Sequence, residues 1–507
     1  MKILFIHFNL GSTAGINNGL AALSAVLKEK GHQIKLIFLC EEMGYGFDIK
    51  RIKQDIMDFN PDVIGMSLIE PQFKYMVSVC HSLQDYYSGY VICGGPHTTM
   101  DPEGVLSVKG VDAVCVGEGE DALFEFIEAL EMGKAYTRIR NLWFKSYDGE
   151  IIRNKLRTFK DLSKLPPDDK ELFDLNKIIP LKGYQLEVLL GRGCPYHCTY
   201  CINWSYVEKY KAMCERPVNI KEYIRVKNSD NVIQEMKNIV IKYPKIKKIV
   251  FVDDDFLSYG HSIEDFIIKY TREIGLPFTI NCNPSTFNVS RIELLKESGC
   301  DSVRFGVESG SDRIKKDILK RPIYNSIIID TLRKNNELGL ISSIYVMIGL
   351  PTETKNEVFE TLKLCGVTMP DVIKTMTFYP FKSTPIYNLC VDLNLIDYIK
   401  KDALDSYDTF TCLKFSEEHQ FFLRKMQIAF NWYINIFLDN DTSQEYRKLV
   451  NTIERMNEDE WNKFDFYAVD REISQKFIKK GSTHYAKYIN RSLAVKIPSR
   501  ASIDFKI

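Results

Sequence analysis

Residues 185–201 read QLEVLLGRGCPYHCTYC. Gln185–Leu190 is a short apolar run of the kind that forms a buried strand, and the turn Gly191-Arg192-Gly193 follows it at once. Cys194, Cys198 and Cys201 then come at C-x3-C-x2-C spacing. Metal-binding residues on the loop straight after a strand are what a βα-barrel offers, because its chemistry sits at the C-terminal ends of its strands. Three thiolates on one tight loop can bind three irons of a cubane cluster and leave the fourth open. Zinc is the rival ion. A structural zinc site wants four ligands, and His197, the nearest fourth donor, sits between two of the cysteines where its geometry is awkward. The next cysteine, Cys214, is well beyond the loop.

Downstream of the loop the pattern repeats. Strand-like runs at Lys248–Val252, Phe278–Cys282, Ser302–Val307, Ser343–Ile348 and Thr375–Tyr379 are separated by helical patterns at Asn231–Tyr243, Ser262–Ile274, Ile292–Glu297, Tyr324–Leu338 and Lys355–Leu364. With Gln185–Leu190 they make six βα units, which predicts a partial (β/α)6 TIM-type barrel over 181–388. Residues 389–507 are rich in Lys, Asp and aromatics and read as mostly helical.

Upstream lies a second series. Apolar runs at Ile3–Phe8, Ile34–Leu39, Val63–Ser67, Val91–Cys93 and Ala113–Val116 alternate with helical patterns at Asn18–Glu29, Ile49–Phe59, Phe73–Tyr86 and Asp121–Glu131. Short apolar strands between amphipathic helices predict a parallel sheet covered on both faces, here a flavodoxin-like, Rossmann-like doubly wound domain over residues 1–135. Polar and glycine residues gather after the strands: Asn9, Gly11 and Ser12; Ser67, Leu68 and Glu70; Gly94-Gly95-Pro96-His97; Gly117-Glu118-Gly119. The crevice of such a sheet lies at its carboxyl edge, so these loops are expected to share one ligand site. Residues 136–180 read as a linker, with a hairpin of Trp143–Tyr147 and Ile151–Arg153 around Asp148-Gly149.

Composition narrows the class. The 507 residues carry no formal net charge, with 45% hydrophobic and 26% charged residues, which suits ordinary globular domains and argues against broad binding to nucleic acid. Thirteen scattered cysteines do not read as a disulfide framework. The opening MKILFIHFNL fits a buried first strand better than a signal peptide, and no stretch is apolar for long enough to span a bilayer. A cytoplasmic enzyme is the expectation.

The cysteine segment resembles the CxxxCxΦC signature of radical S-adenosylmethionine (SAM) enzymes, with Tyr200 as the aromatic position. The resemblance implies a 4Fe-4S cluster on Cys194, Cys198 and Cys201, whose open iron chelates SAM for cleavage to a 5′-deoxyadenosyl radical. Asp253, Asp254 and Asp255 resemble the strand-two end that meets the methionyl amino group. Phe305-Gly306-Val307-Glu308-Ser309-Gly310 is similar to the strand-four segment that holds SAM, implying contacts from Glu308 and Ser309. Lys320-Arg321 follows, as in many relatives. Ile348-Gly349-Leu350-Pro351-Thr352-Glu353-Thr354 is similar to the GLPGET turn, implying a contact at Gly349, and Tyr379-Pro380-Phe381 resembles the sixth-strand end near the adenine, implying one at Pro380.

Together with the barrel, the first domain resembles the cobalamin-binding module of one branch of that family. Gly94-Gly95-Pro96-His97, Pro102-Glu103, Val111-Asp112 and Gly117-Glu118-Gly119-Glu120-Asp121 carry the likeness. The B12 motif DxHxxG is missing after strand one, which implies that cobalt lacks a histidine on its lower face. A methylthiotransferase would carry N-terminal cysteines, and none precedes Cys40. The resemblance implies methylation of an unactivated carbon of a small-molecule or peptide substrate, fed by a low-potential electron donor of flavodoxin or ferredoxin type. A non-methylating cyclisation or rearrangement, and a non-catalytic cofactor-binding regulator, stay open.

Overall fold

A computed structural model describes residues 1–146, 148–405 and 410–501. The first sheet holds five parallel strands: β1 (Lys2–Phe8), β2 (Gln33–Leu39), β3 (Val63–Ser67), β4 (Tyr90–Gly94) and β5 (Ala113–Cys115). Their order, β2-β1-β3-β4-β5, is that of a flavodoxin-like doubly wound sheet. The order reverses between β1 and β3, so the switch-point crevice opens at the ends of those two strands. Helices Asn18–Glu29 and Glu120–Glu131 cover one face, Ile49–Phe59 and Phe73–Leu83 the other. Asn17 caps the first helix by accepting from Leu20 N at 3.0 Å, and Asp48 caps the second.

The segment read as a linker does more than connect. Leu142–Lys145 (β6) and Ile151–Arg153 (β7) form the expected hairpin, which pairs antiparallel with β5 and widens the sheet to seven strands. Tyr147, expected at the end of the first hairpin strand, lies outside the described residues.

The second sheet begins with β8 (Gln185–Val188). A two-residue ribbon of β9 (Gly191–Arg192) and β10 (Arg225–Val226) branches from its end. The remaining parallel strands are β11 (Lys248–Phe251), β12 (Phe278–Cys282), β13 (Cys300–Glu308), β14 (Ile341–Ile348) and β15 (Val372–Thr377), side by side in chain order. These six form the partial barrel. The sixth strand starts three residues earlier than its apolar pattern suggests. Its ladder to β14 ends at Thr377, Phe378 N makes a last bond to Ile348 O, and Phe378 and Tyr379 are buried in the loop that follows.

The C-terminal region packs helices Glu417–Asn435, Ser443–Arg455 and Phe466–Lys480 around the buried Trp432, Tyr433 and Tyr446. It is not helical throughout. β16 (His484–Ala486) and β17 (Ala494–Ile497) join the barrel sheet, with β17 antiparallel to β15 through Val372↔Val495. Strands of three and four residues give too short an alternation to read from sequence.

Candidate active site

The cysteine loop is built by constraint. Gly193 has φ of +105°, and a Cβ there would lie 2.3 Å from Tyr223 O, so only glycine lets the loop cross the β10 ribbon. Asp253 fixes its root: one carboxylate oxygen accepts from Gly191 N at 2.7 Å and Tyr259 Oη at 2.9 Å, the other from Leu190 N at 3.2 Å. Thr199 fixes its far side by donating from N and Oγ1 to Leu319 O and Ile318 O. Cys194, Cys198 and Cys201 then line one cavity of about 330 Å³, with Tyr200, Asp254, Asp255, Glu308 and Arg321 among its other walls. Among the described residues no three His, Cys, Asp or Glu side chains converge tightly enough to hold a single ion. Thiols spread around a cavity suit a multi-iron cluster, which takes one thiolate per iron, better than one zinc. Burial pushes the free Cys201 thiol up to about 12, so ligation has to displace a proton.

Glu308 ends β13 with φ of +66°, at a register shift against β14. Burial raises its carboxyl above the usual range, opposed by the Arg321 guanidinium 3.9 Å away. Arg321 also donates to Tyr200 Oη at 3.2 Å and Gly306 O at 2.6 Å, and its Nη1 lies 4.0 Å from Cys198 Sγ. Sequence reading noted the Lys320-Arg321 pair without a role for it. The pair's spacing from Glu308 gives no signal until the chain folds back.

Several residues expected at the site are engaged elsewhere or stand outside this cavity. Asp253 serves the loop root and lines neither this cavity nor the one described next. Asp255 accepts from Thr286 Oγ1 at 2.9 Å and Asn283 N at 3.3 Å, so it braces β12, although it does line the cavity. Ser309, Gly349 and Pro380 do not line it. Ser309 accepts from Ser311 N, and Gly349 N donates to the buried Glu353, whose carboxyl burial raises to about 8. Pro380 is buried in the loop after β15. Of the three aspartates, Asp254 alone lines both this cavity and the one described next.

A second cavity, about 420 Å³, opens on the carboxyl edge of the first sheet. Its floor is one sheet face: Phe5, His7, Gly65, Ser67, Ile92 and Gly94. A Cβ on Gly65 would sit 2.8 Å from the Phe5 ring, and one on Gly95 2.8 Å from Leu68 N, so close packing requires glycine at both positions. Of the residues expected here, Ser67, Gly94, Gly95, Pro96, Gly117, Glu118 and Gly119 line it. Asn9, Gly11, Ser12, Leu68, Glu70 and His97 do not. Asn9 donates to Thr13 O, Gly11 N donates to Glu41, and Leu68 is buried in the core on the opposite side of the sheet. Ser12 contributes its carbonyl to the Cys40 thiol. Glu70 pairs with Lys401, and Lys382 N donates to it at 2.9 Å. His97 is buried against Phe73 with neither ring nitrogen bonded among the described residues, and burial lowers its pKa. Sequence reading missed His7, Asn17, Gly19 and Leu20, which line the cavity from the end of β1 and the helix after it. The signal was the β1–β3 switch point, not the loop composition.

The two cavities meet. Asn203 and Asp254 line both, and Asp254 lies deep in the protein yet open to the space on each side. Burial raises the Asp254 carboxyl, and the neighbouring Asn203 amide opposes that rise. The two sheets are clamped beside this point. Arg192 donates to Glu118 at 3.0 Å and to Glu120 at 2.5 Å, and Arg225 donates to Glu118 at 2.8 Å. Burial alone would raise the Glu118 carboxyl, but the two guanidinium groups outweigh it and hold it down to about 2.

Residues 188–365 match the Radical SAM superfamily and residues 12–127 the B12 binding domain. An uncharacterized methyltransferase of Pyrococcus horikoshii is 27% identical over 430 residues, covering 82% of this chain and 88% of that protein. The anaerobic magnesium-protoporphyrin IX monomethyl ester cyclase of Rubrivivax gelatinosus is 21% identical over 442 residues, covering 80% and 74%. Two solved structures share the fold. The radical SAM methyltransferase TsrM of Kitasatospora setae superposes with a TM-score of 0.64 at 15% identity, over 77% of this chain and 76% of that one. The cobalamin-dependent SAM radical enzyme OxsB superposes with a TM-score of 0.66 at 16% identity, over 99% and 77%. With both matched regions folded as described and opening onto one another, the chain belongs to the radical SAM enzymes that carry a B12-binding domain.

Proposed function

We propose that this enzyme is a cobalamin-dependent radical SAM methyltransferase acting on an unactivated carbon. One observation carries the reading: the thiol-lined cavity and the glycine-floored cavity share Asp254 and Asn203 as a common wall. A radical source and a methyl donor have to reach one substrate carbon within near-contact distance, and adjoining cavities supply that proximity. When bound, the 4Fe-4S cluster with SAM supplies a hydrogen-abstracting radical, and cobalamin supplies a transferable methyl group.

The chain's own residues do the positioning. Cys194, Cys198 and Cys201 hold the irons. Arg321 offers a cation to the carboxylate of SAM's methionyl end, with Glu308 beside it for hydroxyl or ammonium groups. Asp254 is placed to accept from an ammonium or hydroxyl in either cavity. Gly65, Gly94 and Gly95 leave a flat, apolar floor for the corrin. Residues 1–135 with the β6–β7 hairpin would serve cobalamin, 181–388 the cluster and SAM, and 389–507 the enclosure of the barrel. A flavodoxin- or ferredoxin-type donor would supply the electron. Among the described residues no helix is long and apolar enough to cross a membrane.

Anaerobic incubation of reconstituted protein with SAM, methylcobalamin, a low-potential reductant and candidate metabolites tests the reading by mass spectrometry. A methylated product with 5′-deoxyadenosine is expected. Deoxyadenosine with an unmethylated, ring-closed product would favour the ring-forming chemistry named for the Rubrivivax relative. Bound cofactors without any SAM cleavage would overturn enzymatic function.

A further inference from the structure

Strand β13 presents every second residue to the barrel lumen. Ser302 lines a cavity of about 500 Å³ at the N-terminal end of the barrel, Gly306 and Glu308 line the thiol cavity, and Arg304 lines both. Two residues of strand put Arg304 about 6.6 Å below Gly306. Its lateral neighbours in the ladders are Asn281 and Ser343, both polar and uncharged. Among the described residues Arg304 makes no ion pair or hydrogen bond. Of the carboxylates around it, Glu308 is engaged by Arg321, Asp255 by Thr286 and Glu187 by Lys182 at 3.2 Å, while Asp254, which shares the thiol cavity, makes no ion pair with Arg304.

The lower cavity has the same sign throughout. Its charged lining residues are Lys182, Arg304 and Arg491, and no Asp or Glu lines it. Arg491 rests over the Tyr467 ring at 4.7 Å, on the C-terminal segment that closes this end of the barrel. A guanidinium stays charged at any accessible pH, and a half-buried one without a counter-charge is destabilising until an anion meets it. Its planar fork matches a carboxylate or phosphate.

We propose that the substrate is a small organic anion whose carboxylate or phosphate pairs with Arg304 inside the barrel, leaving its reactive carbon toward the thiol cavity. This rests on the catalytic reading above, since it makes the lumen the substrate's seat. It fixes the substrate class and sets aside neutral lipids and extended neutral peptides.

Calorimetry on the full-length, anaerobically reconstituted protein tests it with three probes: benzoate, phenylphosphonate and uncharged benzamide. At least one anion should bind and benzamide should not, and the preferred anion tells carboxylate from phosphate. Arg304→Gln should weaken that anion at least tenfold, and Arg304→Lys should recover part of the loss. SAM affinity should stay within about threefold in both variants. Failure of both anions to bind, equal binding of benzamide, or undiminished anion binding by Arg304→Gln overturns the proposal. So does a fall in SAM affinity matching the fall in anion affinity, which would assign Arg304 to SAM instead. If the variants do not fold, phenylglyoxal labelling of the unaltered protein decides: the bound anion should slow modification of Arg304 several-fold, and unchanged labelling refutes it. None of these readouts needs SAM cleavage, so an inactive protein that binds anions through Arg304 would sink the catalytic reading alone.

Discussion

Arg192, two residues before the first cysteine of the loop, donates to Glu118 on the carboxyl edge of the other sheet at 3.0 Å. The pair ties the two cavities into one geometry, because the loop that carries the thiols and the turn that walls the second cavity cannot move independently. Both side chains are largely buried, and removing Arg192 leaves Glu118 to Arg225 alone and strands the charge of the buried Glu120, to which Arg192 also donates.

Arg192→Ala should therefore destabilise the protein by about 3 kcal/mol and loosen the docking of the two sheets. Denaturant midpoints and limited proteolysis read both. The pH dependence has a definite sign. Glu118 is held at about 2 in the folded state against an ordinary 4.5, so its contribution is full above about 4.5 and is lost as the pH falls toward 2. Glu118→Gln should flatten stability across that acidic window, and an unchanged acid profile would speak against the clamp.

Alanine at Cys194, Cys198 or Cys201 should abolish cluster assembly, since the other thiol lining the cavity, Cys282, is buried on β12 and donates to Asn283 O at 3.2 Å, away from the loop. Iron and sulfide content after anaerobic reconstitution measures it. A variant retaining a full complement of both would remove that cysteine from the ligand set.

Neighbouring aspartates should separate by function. Asp253→Asn loosens the root of the cysteine loop, so iron content and thermal stability should fall together. Asp254→Asn leaves that root intact and should keep its iron. Its SAM affinity should drop roughly ten- to hundredfold, the size of a charge-assisted hydrogen bond. Iron analysis and calorimetry on the two variants side by side would expose an error if the pattern came out reversed.

Gly94 offers a way to fill the second cavity without straining the fold. A Cβ there meets only Cys115, at an ordinary 3.7 Å, and the backbone is extended. Gly94→Leu should cut cobalamin retention at least tenfold while leaving iron content unchanged, the bulk being set on the cavity floor. Absorbance of the retained corrin reports it, and full retention would move the cobalamin site elsewhere.

Much of this was legible in the chain itself. The apolar runs of β1 to β5 and their intervening helices fixed a doubly wound sheet, because parallel strands buried on both faces are continuous hydrophobic segments. The cysteine spacing marked its own loop. What sequence could not convey was direction. Glu70 looked like a ligand-edge residue but turns to Lys401, and Glu118, which does line the cavity, also holds Arg192 from another part of the chain. His7 was hidden inside an apolar strand, and only the pleat shows that it faces the cavity with Phe5. Asp253, Asp254 and Asp255 are one triplet in sequence and three environments in space, since successive positions at a strand end point in different directions.

The pairing of β17 with β15 sets the order in which the barrel can mature. A ribosome delivers residues 372–377 long before 494–497, so during synthesis the outer edge of β15 waits with its backbone amides and carbonyls unpaired. An uncovered strand edge invites pairing with another chain. The nascent protein therefore stays most vulnerable to sticky, intermolecular association while its helical C-terminal region is still being made, and interruption of synthesis anywhere in that stretch leaves the same exposed seam.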